Sequence, residues 1–295
     1  MAILQKGDKI GFIAPSSGQQ NKDLSKAISY FEKQGLEVVL ASNLNDEYRY
    51  MAGTDEKRAN SINQMFQNKD IKALFCIRGA AGSTRILDLL DYKLIKKNPK
   101  PIIGLSDSTA LQNALITKAN NPSFTGFLPL YDFKNKNADN LVLSSLQSAL
   151  FDKKHSIRSG TCFTKGKTSG VMIGGCLSTL LYLCGTPYFP DLKDKILLLE
   201  DTDEKTYKID LMLNQLKGQK NFDKLKGIVF GSFTDCIIVD KEDGSIEDCI
   251  KDFTSNLDIP IITNFQYGHI PSRYILPLGI NVNIVSSPKG CSIDW

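Results

Sequence analysis

The sequence predicts a two-domain α/β protein, in which a parallel sheet forms the N-terminal domain and a smaller mixed α/β domain follows it. Short apolar runs alternate with amphipathic helical patterns along the first third of the 295 residues, as they do in parallel sheets with helices on both faces. A chain of this length is near the size at which a single core stops growing. A polar stretch divides the chain near its middle. We therefore expect an N-terminal domain over residues 1–150, a linker over 151–168 and a C-terminal domain over 169–295.

The first predicted elements are a buried strand and a helix. Residues 9–14 are mostly apolar and end at a Pro-Ser-Ser-Gly turn. Asn21 can cap the helix that follows, and Gly35 can end it in the left-handed conformation. Apolar residues recur at helical spacing between these two positions, at Leu24, Ala27, Ile28 and Phe31.

The same patterns continue along the chain. In the N-terminal domain they predict strands over 36–40 and 73–77, a helix over 54–66, and a further strand that ends at Ile103. In the C-terminal domain they predict strands over 196–199, 227–233 and 280–285 and a helix over 207–216. Open parallel sheets bind ligands at the carboxyl ends of their strands. The loops after Ile13, Ile77 and Ile103 are therefore the first places to look for a site.

The composition is that of an ordinary globular protein. Apolar residues make up 42% of the chain and aromatic residues 9%, which excludes disorder over most of its length. Lys and Arg number 36 and Asp and Glu 32, so the net charge is +4, spread over the whole chain. A charge this small and diffuse does not indicate a nucleic-acid partner. No run approaches the roughly 18 apolar residues of a membrane span, so we expect no membrane partner either.

The cysteines and the N-terminus indicate a cytoplasmic protein. Seven scattered cysteines without any Cys-x-x-Cys spacing fit a reducing compartment better than a disulfide framework. The first residues lack the basic and long apolar regions of a signal peptide. Only two histidines are present and zinc-finger spacing is absent, so we expect neither a metal nor any other cofactor.

Ser106 is the first candidate catalytic residue. It lies in Gly-Leu-Ser-Asp-Ser, between an apolar strand and a helix with Ala110, Leu111 and Ala114 on one face. A sharp strand-to-helix turn exposes a hydroxyl and directs the free N–H groups of the helix toward the group it attacks. The pattern differs from Gly-x-Ser-x-Gly at Ser108, and a serine that only caps the helix is the alternative.

His269 is the candidate base for a serine nucleophile. It follows an apolar run in Tyr-Gly-His-Ile-Pro, where Gly and Pro impose an unusual backbone path of the kind that carries site residues. A structural histidine is the alternative at this position. The other histidine, His155, lies in a basic polar stretch of the predicted linker, and we expect it to be solvated.

Glu200 is the candidate carboxylate that orients the imidazole. Four successive apolar residues precede it and deliver it to the end of a buried strand. One acid of the cluster should thus lie near the core, while Asp201 and Glu204 are expected on the solvated side. Solvated strand-end carboxylates are the alternative for the whole cluster.

The loop over residues 78–83 reads Arg-Gly-Ala-Ala-Gly-Ser and follows the third strand directly. Its small residues allow backbone N–H groups to approach a substrate oxygen closely. We expect the N–H of Asp107 and one from Gly79 or Ala80 to form an oxyanion hole. A nucleotide-phosphate loop is the rival interpretation, but neither Gly-Lys-Ser/Thr nor Gly-x-Gly-x-x-Gly is present here.

Cys176, in Gly-Gly-Cys-Leu-Ser, is a rival nucleophile that could pair with His269. The sequence after it, Leu-Ser-Thr-Leu-Leu, is typical of the start of a buried helix. We therefore expect this thiol to pack as a small apolar group.

Taken together, these motifs resemble the LD-carboxypeptidases, a family of serine peptidases that trim the tetrapeptide stem of murein and whose relatives include the microcin C immunity proteins. The resemblance extends over nearly the whole chain in the same order. The segments that carry it are Gly7-Asp8, Ala52-Gly53-Thr54-Asp55 with Arg58, Arg78-Gly79, Gly104-Leu105-Ser106-Asp107, Gly174-Gly175, Gly185-Thr186-Pro187, Leu199-Glu200-Asp201, Tyr207 with Asp210, Gly268-His269 and Leu276-Pro277-Leu278-Gly279.

The resemblance implies a Ser-Glu-His triad of Ser106, Glu200 and His269 in a cleft between a Rossmann-like N-terminal domain and the C-terminal domain. It also implies that the protein can be a homodimer. The sequence departs from the family at Ala80 and Ala81, where a Gly and a Tyr are usual, and at Cys176, where Asn is usual.

The implied function is hydrolysis of the amide before the terminal D-alanine of a murein tetrapeptide, in cytoplasmic recycling of cell-wall fragments. The substrate would be a small muropeptide. One alternative is an immunity hydrolase that cleaves an aminoacyl-nucleotide amide, which an aromatic side chain able to stack on a base would favour. The other is a two-domain ligand-binding protein without catalysis.

Overall fold

The computed structural model describes residues 3–18, 23–134, 138–152 and 154–295. The chain divides into two compact units: unit 1 comprises Met1–His155 and Tyr274–Gly279, and unit 2 comprises Ser156–Arg273 and Ile280–Trp295. The chain thus returns to unit 1 for six residues near its end. Asn21, the predicted cap of the first helix, lies outside the described residues.

The strands are numbered in chain order. They are β1 (Lys9–Ile13), β2 (Glu37–Leu40), β3 (Ile71–Cys76), β4 (Ile102–Gly104), β5 (Ser123–Thr125), β6 (Ser156–Arg158), β7 (Thr161–Thr164), β8 (Gly166–Cys176), β9 (Lys195–Thr202), β10 (Gly227–Thr234), β11 (Ile261–Thr263), β12 (Leu276–Leu278), β13 (Asn281–Ser286) and β14 (Ser292–Asp294).

The α-helices are numbered in the same way. They are α1 (Ser25–Lys33), α2 (Asp55–Gln67), α3 (Tyr92–Lys97), α4 (Ser108–Ala119), α5 (Pro129–Asp132), α6 (Asn140–Phe151), α7 (Leu177–Leu181), α8 (Thr206–Lys217) and α9 (Ile246–Thr254). No helix in the described part of the chain combines the length and the apolar character that a membrane crossing requires.

Unit 1 is built on a six-stranded sheet in the order β12-β5-β4-β3-β1-β2. Strands β1 to β5 are parallel, and β12 pairs antiparallel with β5 at the edge. The central strands are buried on both faces, which explains their continuous apolar sequences. Four buried phenylalanine rings pack edge to face or tilted in the core, at Phe12, Phe31, Phe75 and Phe127.

Helix α2 begins where its sequence predicts, whereas α1 begins at Ser25 with Leu24 at its N-cap position and without a side-chain cap. The hydroxyl of Thr54 accepts a hydrogen bond from the Lys57 N–H and caps α2, while Asp55 and Glu56 in the first turn suit the positive end of the helix dipole. Helix α4 is different, because nine of its twelve residues are buried. A helix buried nearly all round belongs to the core, and its first turn is therefore held firmly beside β4.

Unit 2 is built on an eight-stranded mixed sheet in the order β6-β14-β13-β8-β9-β10-β11-β7. Strands β8, β9, β10 and β11 are parallel, and the remaining four are antiparallel to their neighbours. The apolar run before Glu200 forms the middle of β9, in the centre of this sheet, where it is fully buried. The mixed α/β domain expected from the sequence is thus present.

The division of the chain differs from the sequence prediction in two respects. Residues 151–168, expected to be a linker, contain β6, β7 and the start of β8, which pair with β14, β11 and β13. Few apolar residues are needed there, because strands β6 and β7 lie at the ends of the strand order. In addition, β12 belongs to the sheet of unit 1 although it follows most of unit 2 in sequence.

Candidate active site

Three strand-end loops of unit 1 lie at one edge of its sheet. Strands β4, β3 and β1 are neighbours and parallel, so their carboxyl ends point the same way. The loops that follow them are those singled out from the sequence. The N–H of Ser17, in the loop after β1, donates to the carbonyl of Gly79, in the loop after β3, at 3.4 Å. The edge thus brings these loops together.

Ser106 lies on a strained turn between β4 and α4. Its φ is 66°, in the left-handed region that L-residues other than Asn and Asp rarely adopt. It is half-buried, whereas every other residue from 101 to 115 is buried. The Ser106 carbonyl accepts a hydrogen bond from the Thr109 N–H at 2.8 Å, which begins the helix. A strained serine at a strand-to-helix turn is the arrangement typical of a nucleophilic serine.

Two glycines make room for this turn. A β-carbon on Gly79 would lie 2.9 Å from the β-carbon of Ser106 and 3.2 Å from its hydroxyl oxygen. A β-carbon on Gly104 would lie 2.2 Å from the hydroxyl oxygen of Ser108. The distances of 2.9 Å and 2.2 Å are shorter than those that real β-carbons show. The close approach of the loop after β3 to Ser106 therefore requires glycine at position 79.

The three residues predicted to donate to an oxyanion lie around this serine. Asp107 follows it and is buried at the start of α4. Gly79 is buried against the Ser106 side chain, and Ala80 is exposed beside it. Ala80 has a φ of 74°, a conformation that favours glycine. All three belong to unit 1, as Ser106 does.

Glu200 and His269 form a hydrogen-bonded pair in unit 2. Nδ1 of His269 lies 2.8 Å from Oε2 of Glu200, and the glutamate side chain is fully buried. The contact favours the tautomer in which Nδ1 carries the proton and donates to the carboxylate. Nε2 then carries the lone pair, which can accept a proton from a nucleophile.

The pKa of His269 is raised above its ordinary value. Burial by itself lowers this pKa, but the hydrogen bond to Glu200 and the negative charges of Glu200 and Asp201 more than compensate, while the charge of Arg273 lowers it. The imidazolium form is therefore stabilised in this environment, as a general base requires after it has taken a proton.

Gly268 allows the histidine to approach the glutamate. Its φ is 123°, and a β-carbon on it would lie 3.0 Å from Oε2 of Glu200 and 3.2 Å from the carbonyl oxygen of Ser232. The Ser232 N–H also donates to the Tyr267 carbonyl at 2.8 Å. The unusual backbone path expected from Gly and Pro around His269 is present, and its close contact is with β9 and β10.

The expectation that Asp201 is solvated is wrong. Because β9 continues to Thr202, Asp201 is buried, and its carboxylate accepts hydrogen bonds from the N–H groups of Ser178 at 2.7 Å and Thr202 at 2.8 Å. Burial raises the pKa of Asp201, these two donors lower it, and the charge of Glu200 raises it again. Glu204 is half-buried and lies 3.7 Å from the ammonium of Lys208.

Cys176 pairs in register with Glu200 across β8 and β9. Its thiol is buried, accepts a hydrogen bond from the Thr179 hydroxyl at 3.3 Å, and lies 3.6 Å from Oδ1 of Asp201. Burial first of all, and then the charges of Glu200 and Asp201, raise the pKa of the thiol well above its usual value. A protonated thiol is a weak nucleophile, so this environment favours the packing role.

The prediction that the other histidine lies in a solvated linker is wrong. His155 is buried at the end of unit 1, with Nδ1 at 3.4 Å from the Ser148 hydroxyl of α6. Burial lowers its pKa. Within the described ranges, no three His, Cys, Asp or Glu side chains are grouped in a way that could hold a metal ion.

The structure therefore gathers the predicted residues into two sets, one in each unit. Ser106, Asp107, Gly79 and Ala80 lie together in unit 1, and Glu200 and His269 lie together in unit 2. Sequence reasoning missed the side-chain roles of Ser16 and Ser83, which contact Asp107. Both lie in strand-end loops, but serine is so common in loops that their sequence offered no specific signal.

Two α/β units, one with a serine on a strained strand-to-helix turn and the other with a histidine bonded to a buried glutamate, are typical of hydrolases that use serine. Residues 10–126 match the LD-carboxypeptidase N-terminal domain, and residues 169–284 match the LD-carboxypeptidase C-terminal domain. The chain belongs to the LD-carboxypeptidase family of peptidases.

Individual relatives agree with this assignment. A Bacillus subtilis protein named "Probable murein peptide carboxypeptidase" is 32% identical over 296 residues, which cover 99% of this chain and 93% of that protein. The microcin C7 self-immunity protein MccF of Escherichia coli is 28% identical over 331 residues, covering 99% of this chain and 94% of that protein. The crystal structure of a muramoyltetrapeptide carboxypeptidase from Oxalobacter formigenes is similar with a TM-score of 0.89 and 28% identity, over 97% of this chain and 98% of that one.

Proposed function

We propose that the protein is a serine LD-carboxypeptidase that removes the terminal D-alanine from murein tetrapeptides. In this proposal Ser106 is the nucleophile, His269 is the general base and Glu200 orients the imidazole. The observation that carries it is the 2.8 Å contact between His269 Nδ1 and Glu200 Oε2 in a chain of this family. That pair leaves Nε2 available to a hydroxyl, which is what a serine nucleophile requires.

The first half of the reaction forms an acyl-enzyme. Nε2 of His269 takes the hydroxyl proton as Oγ of Ser106 attacks the carbonyl carbon of the L-residue. The electron pair of the carbonyl moves to its oxygen, and the resulting imidazolium is stabilised by Glu200. The tetrahedral intermediate then collapses, the C–N bond breaks, and the imidazolium gives its proton to the amine of D-alanine, which leaves.

The second half repeats these proton transfers with water. His269 takes a proton from a water molecule while the water oxygen attacks the ester carbonyl. The C–O bond then breaks, and His269 returns a proton to Oγ of Ser106. The shortened peptide leaves as a free carboxylic acid. In both halves the N–H of Asp107 and that of Gly79 or Ala80 would donate to the oxyanion, each contributing roughly 3 kcal/mol.

The experiment that tests this proposal is incubation of the purified protein with a murein tetrapeptide, followed by mass spectrometry. We expect loss of one alanine residue and no loss from the corresponding tripeptide. Ser106→Ala should abolish this release while the protein stays folded and binds the tetrapeptide, because only the nucleophile is removed. Turnover retained by Ser106→Ala would contradict the assignment of the nucleophile.

Cys176→Ser is the matched control, because it replaces the thiol of the rival nucleophile by a hydroxyl and leaves the rest of the side chain unchanged. We expect this variant to keep the rate within about tenfold of the wild type, since the thiol packs in the core and its raised pKa keeps it protonated. A loss as complete as that of Ser106→Ala would instead favour a cysteine mechanism.

A second candidate function is cleavage of an aminoacyl-nucleotide amide. The similarity to the immunity protein MccF favours it, because that similarity also spans nearly the whole chain. The same three residues would carry out the same acyl transfer, with a different leaving group. Comparing kcat/KM for the tetrapeptide and for an aminoacyl-nucleotide amide distinguishes the two. A ligand-binding protein without catalysis would bind one of these compounds and leave it intact.

We further propose that the protein acts in the cytoplasm, in recycling of cell-wall fragments, on a small muropeptide. The seven cysteines are scattered along the sequence without any Cys-x-x-Cys spacing, as suits a reducing compartment. A homodimer is the proposed oligomeric state, and light scattering coupled to size-exclusion chromatography tests it. A mass near 33 kDa in dilute solution would contradict the dimer, because the chain itself has a mass of 32.7 kDa.

A further inference from the structure

A buried polar network ties the residue after Ser106 to the two neighbouring strand-end loops. Oδ2 of Asp107 accepts the Ser16 hydroxyl, from the loop after β1, and the Ser83 N–H at 2.8 Å, from the loop after β3. The Ser83 hydroxyl donates in turn to the Asp107 carbonyl oxygen at 2.6 Å. Ser83 thus bonds both the carboxylate and the main chain of Asp107.

A buried arginine joins the same two loops at the adjacent positions. The guanidinium of Arg58, on α2, donates to the carbonyl of Pro15 and, at 2.8 Å, to the carbonyl of Gly82. Pro15 precedes Ser16, and Gly82 precedes Ser83. Arg58 is fully buried, and burial lowers the pKa of its guanidinium, although Asp55 and, to a smaller extent, the negative charge of Asp107 raise it. The Arg58 guanidinium and the Asp107 carboxylate, which carry opposite charges, therefore both bind the loops after β1 and β3.

The network is sealed from water. Ser16, Ser83 and Asp107 are all at most 4% exposed, so their hydrogen bonds do not compete with solvent. A buried carboxylate requires donors, and Oδ2 of Asp107 takes one from each loop, so the loss of either weakens the link to that loop. The hydrogen bonds at Asp107 therefore favour a single arrangement of the two loops around it.

We propose that Ser83 and the Asp107 carboxylate are positioning groups that hold the two oxyanion donors at a fixed separation. One donor is the N–H of Asp107, and the other is the N–H of Gly79 or Ala80. This inference rests on the proposed function, because it assigns to both groups a role in the same acyl transfer. It adds a residue, Ser83, that would act through its two hydrogen bonds to Asp107.

The connection between the donors is short. The segment from Gly79 to Ser83 lies close to the Ser106 side chain at its first residue and is hydrogen-bonded to Asp107 at its last residue. The peptide group between Ser106 and Asp107 is held from the other side, because both the carboxylate and the carbonyl of Asp107 are engaged. Loss of the Ser83 hydroxyl releases one of these attachments, and the donors can then drift from the positions an oxyanion needs.

The test compares Ser83→Ala and Asp107→Asn with the wild type by two measurements. The first is kcat and KM for D-alanine release from the tetrapeptide. The second is the rate at which a fluorophosphonate modifies Ser106, where Oγ bonds to phosphorus, fluoride leaves, the proton passes to His269 and the P=O oxygen occupies the oxyanion position. We expect Ser83→Ala to lower kcat and the modification rate by about tenfold, with KM within about twofold. Asp107→Asn should lower both rates at least as much.

Ser61→Ala is the control for burial. Ser61 is buried on α2 in the same unit, and its hydroxyl has no hydrogen-bond partner among the described residues. Its removal should leave both rates unchanged. Every rate is expressed per Ser106 that reacts on exhaustive fluorophosphonate treatment, counted by mass spectrometry, so that a loss of folded protein does not imitate a loss of positioning.

The inference is overturned if Ser83→Ala has wild-type rates per reactive Ser106, or if kcat is unchanged and only KM rises. A wild-type protein that is modified at Ser106 but releases no D-alanine would refute the proposed substrate. The modification rates of the variants would then decide the role of Ser83 alone. A wild-type protein that is not modified at Ser106 would overturn both proposals.

Discussion

At the scale of single residues, the role proposed for His269 as the general base predicts how activity depends on pH. Because its pKa is raised by Glu200 and Asp201, the imidazole is protonated at pH values where an ordinary histidine is neutral. A protonated base cannot accept a proton from Ser106. Activity should therefore rise with pH through the raised pKa of His269, along a limb centred above the ordinary value of about 6.5.

Glu200→Gln tests this account through the pH profile of kcat/KM. The amide removes the charge that raises the pKa and leaves the burial that lowers it, so the midpoint of the rising limb should move to lower pH. The maximal rate should fall by roughly a thousandfold, because an amide can hold the wrong imidazole tautomer.

Glu204→Gln is the matched control for Glu200→Gln. Glu204 is half-buried and lies 3.7 Å from the Lys208 ammonium. We expect its replacement to leave the midpoint unchanged and the rate within about threefold of the wild type. An unshifted midpoint in Glu200→Gln, or a large shift in Glu204→Gln, would count against the glutamate–histidine pair as the origin of the profile.

Ala80 provides a second prediction at this scale, on stability. Its φ of 74° is unfavourable for any side chain and most of all for a β-branched one. Ala80 already bears the cost of a β-carbon at this φ, and the branched side chain of valine adds to it, so Ala80→Val should lower the free energy of unfolding by about 1 kcal/mol. Ala81→Val is the control, because Ala81 is equally exposed and has no positive φ, and it should change stability by less than about 0.5 kcal/mol. Urea denaturation of both variants decides, and equal stabilities would contradict the strain.

At the scale of elements, helix α2 ends on a buried cation that the sequence patterns did not reveal. The ammonium of Lys100 donates to the carbonyls of Met65 at 2.9 Å, Phe66 at 2.7 Å and Asn68. These are carbonyls of the last turn and the end of the helix, which lack partners within the helix itself. A cation also suits the negative end of the helix dipole. The Lys100 ammonium therefore caps the C-terminal end of α2, the helix that carries Arg58.

Lys100→Met should destabilise the protein. The methionine keeps the apolar stem but removes the donor of the Met65 and Phe66 carbonyls and leaves the Asn68 carbonyl with only the Ile71 N–H, so we expect a loss of about 2 kcal/mol in the free energy of unfolding. Lys97→Met serves as the control, because Lys97 is exposed in the last turn of α3. It should cost less than about 0.5 kcal/mol. Chemical denaturation measures both, and a loss for Lys100→Met no larger than the control would refute the capping role.

At the scale of the whole molecule, the return of the chain to unit 1 links the stability of that unit to the C-terminal part of the sequence. Strand β12 pairs with β5 along three residues, and its Leu276 and Leu278 are fully buried. Without β12, strand β5 becomes an unprotected edge with an apolar face. Unit 1 is thus incomplete until most of unit 2 has been synthesised.

This arrangement predicts that a fragment of residues 1–155 is much less stable than unit 1 in the full chain. Exposure of two buried leucines alone costs about 4 kcal/mol. The fragment should therefore bind a hydrophobic dye and aggregate, and addition of residues 274–279 through a short glycine-rich linker should reduce both. A fragment that is monomeric and unfolds as cooperatively as the full chain would contradict the prediction.

Much of the fold could be predicted from local sequence. Buried strands such as β1 and β9 appear as apolar runs, and α2 appears through its cap and apolar spacing, because burial and capping impose patterns a few residues long. The same reasoning found Glu200 and His269, which the structure brings within 2.8 Å, and the turn at Ser106. These residues follow apolar strands or special turns, and both features are local.

What only the tertiary structure decided concerns pairings between distant segments. The burial of Asp201 follows from the continuation of β9 beside its neighbours in the sheet, and the strands in residues 156–164 follow from partners about a hundred residues away or more. The Asp107 network likewise joins loops that are far apart in sequence. The spacing of apolar residues shows which face of a helix or strand is buried. It does not show which distant residues contact that face. The sequence by itself therefore determined which residues are chemically able to act, and the packing of the chain determined which groups hold them in place.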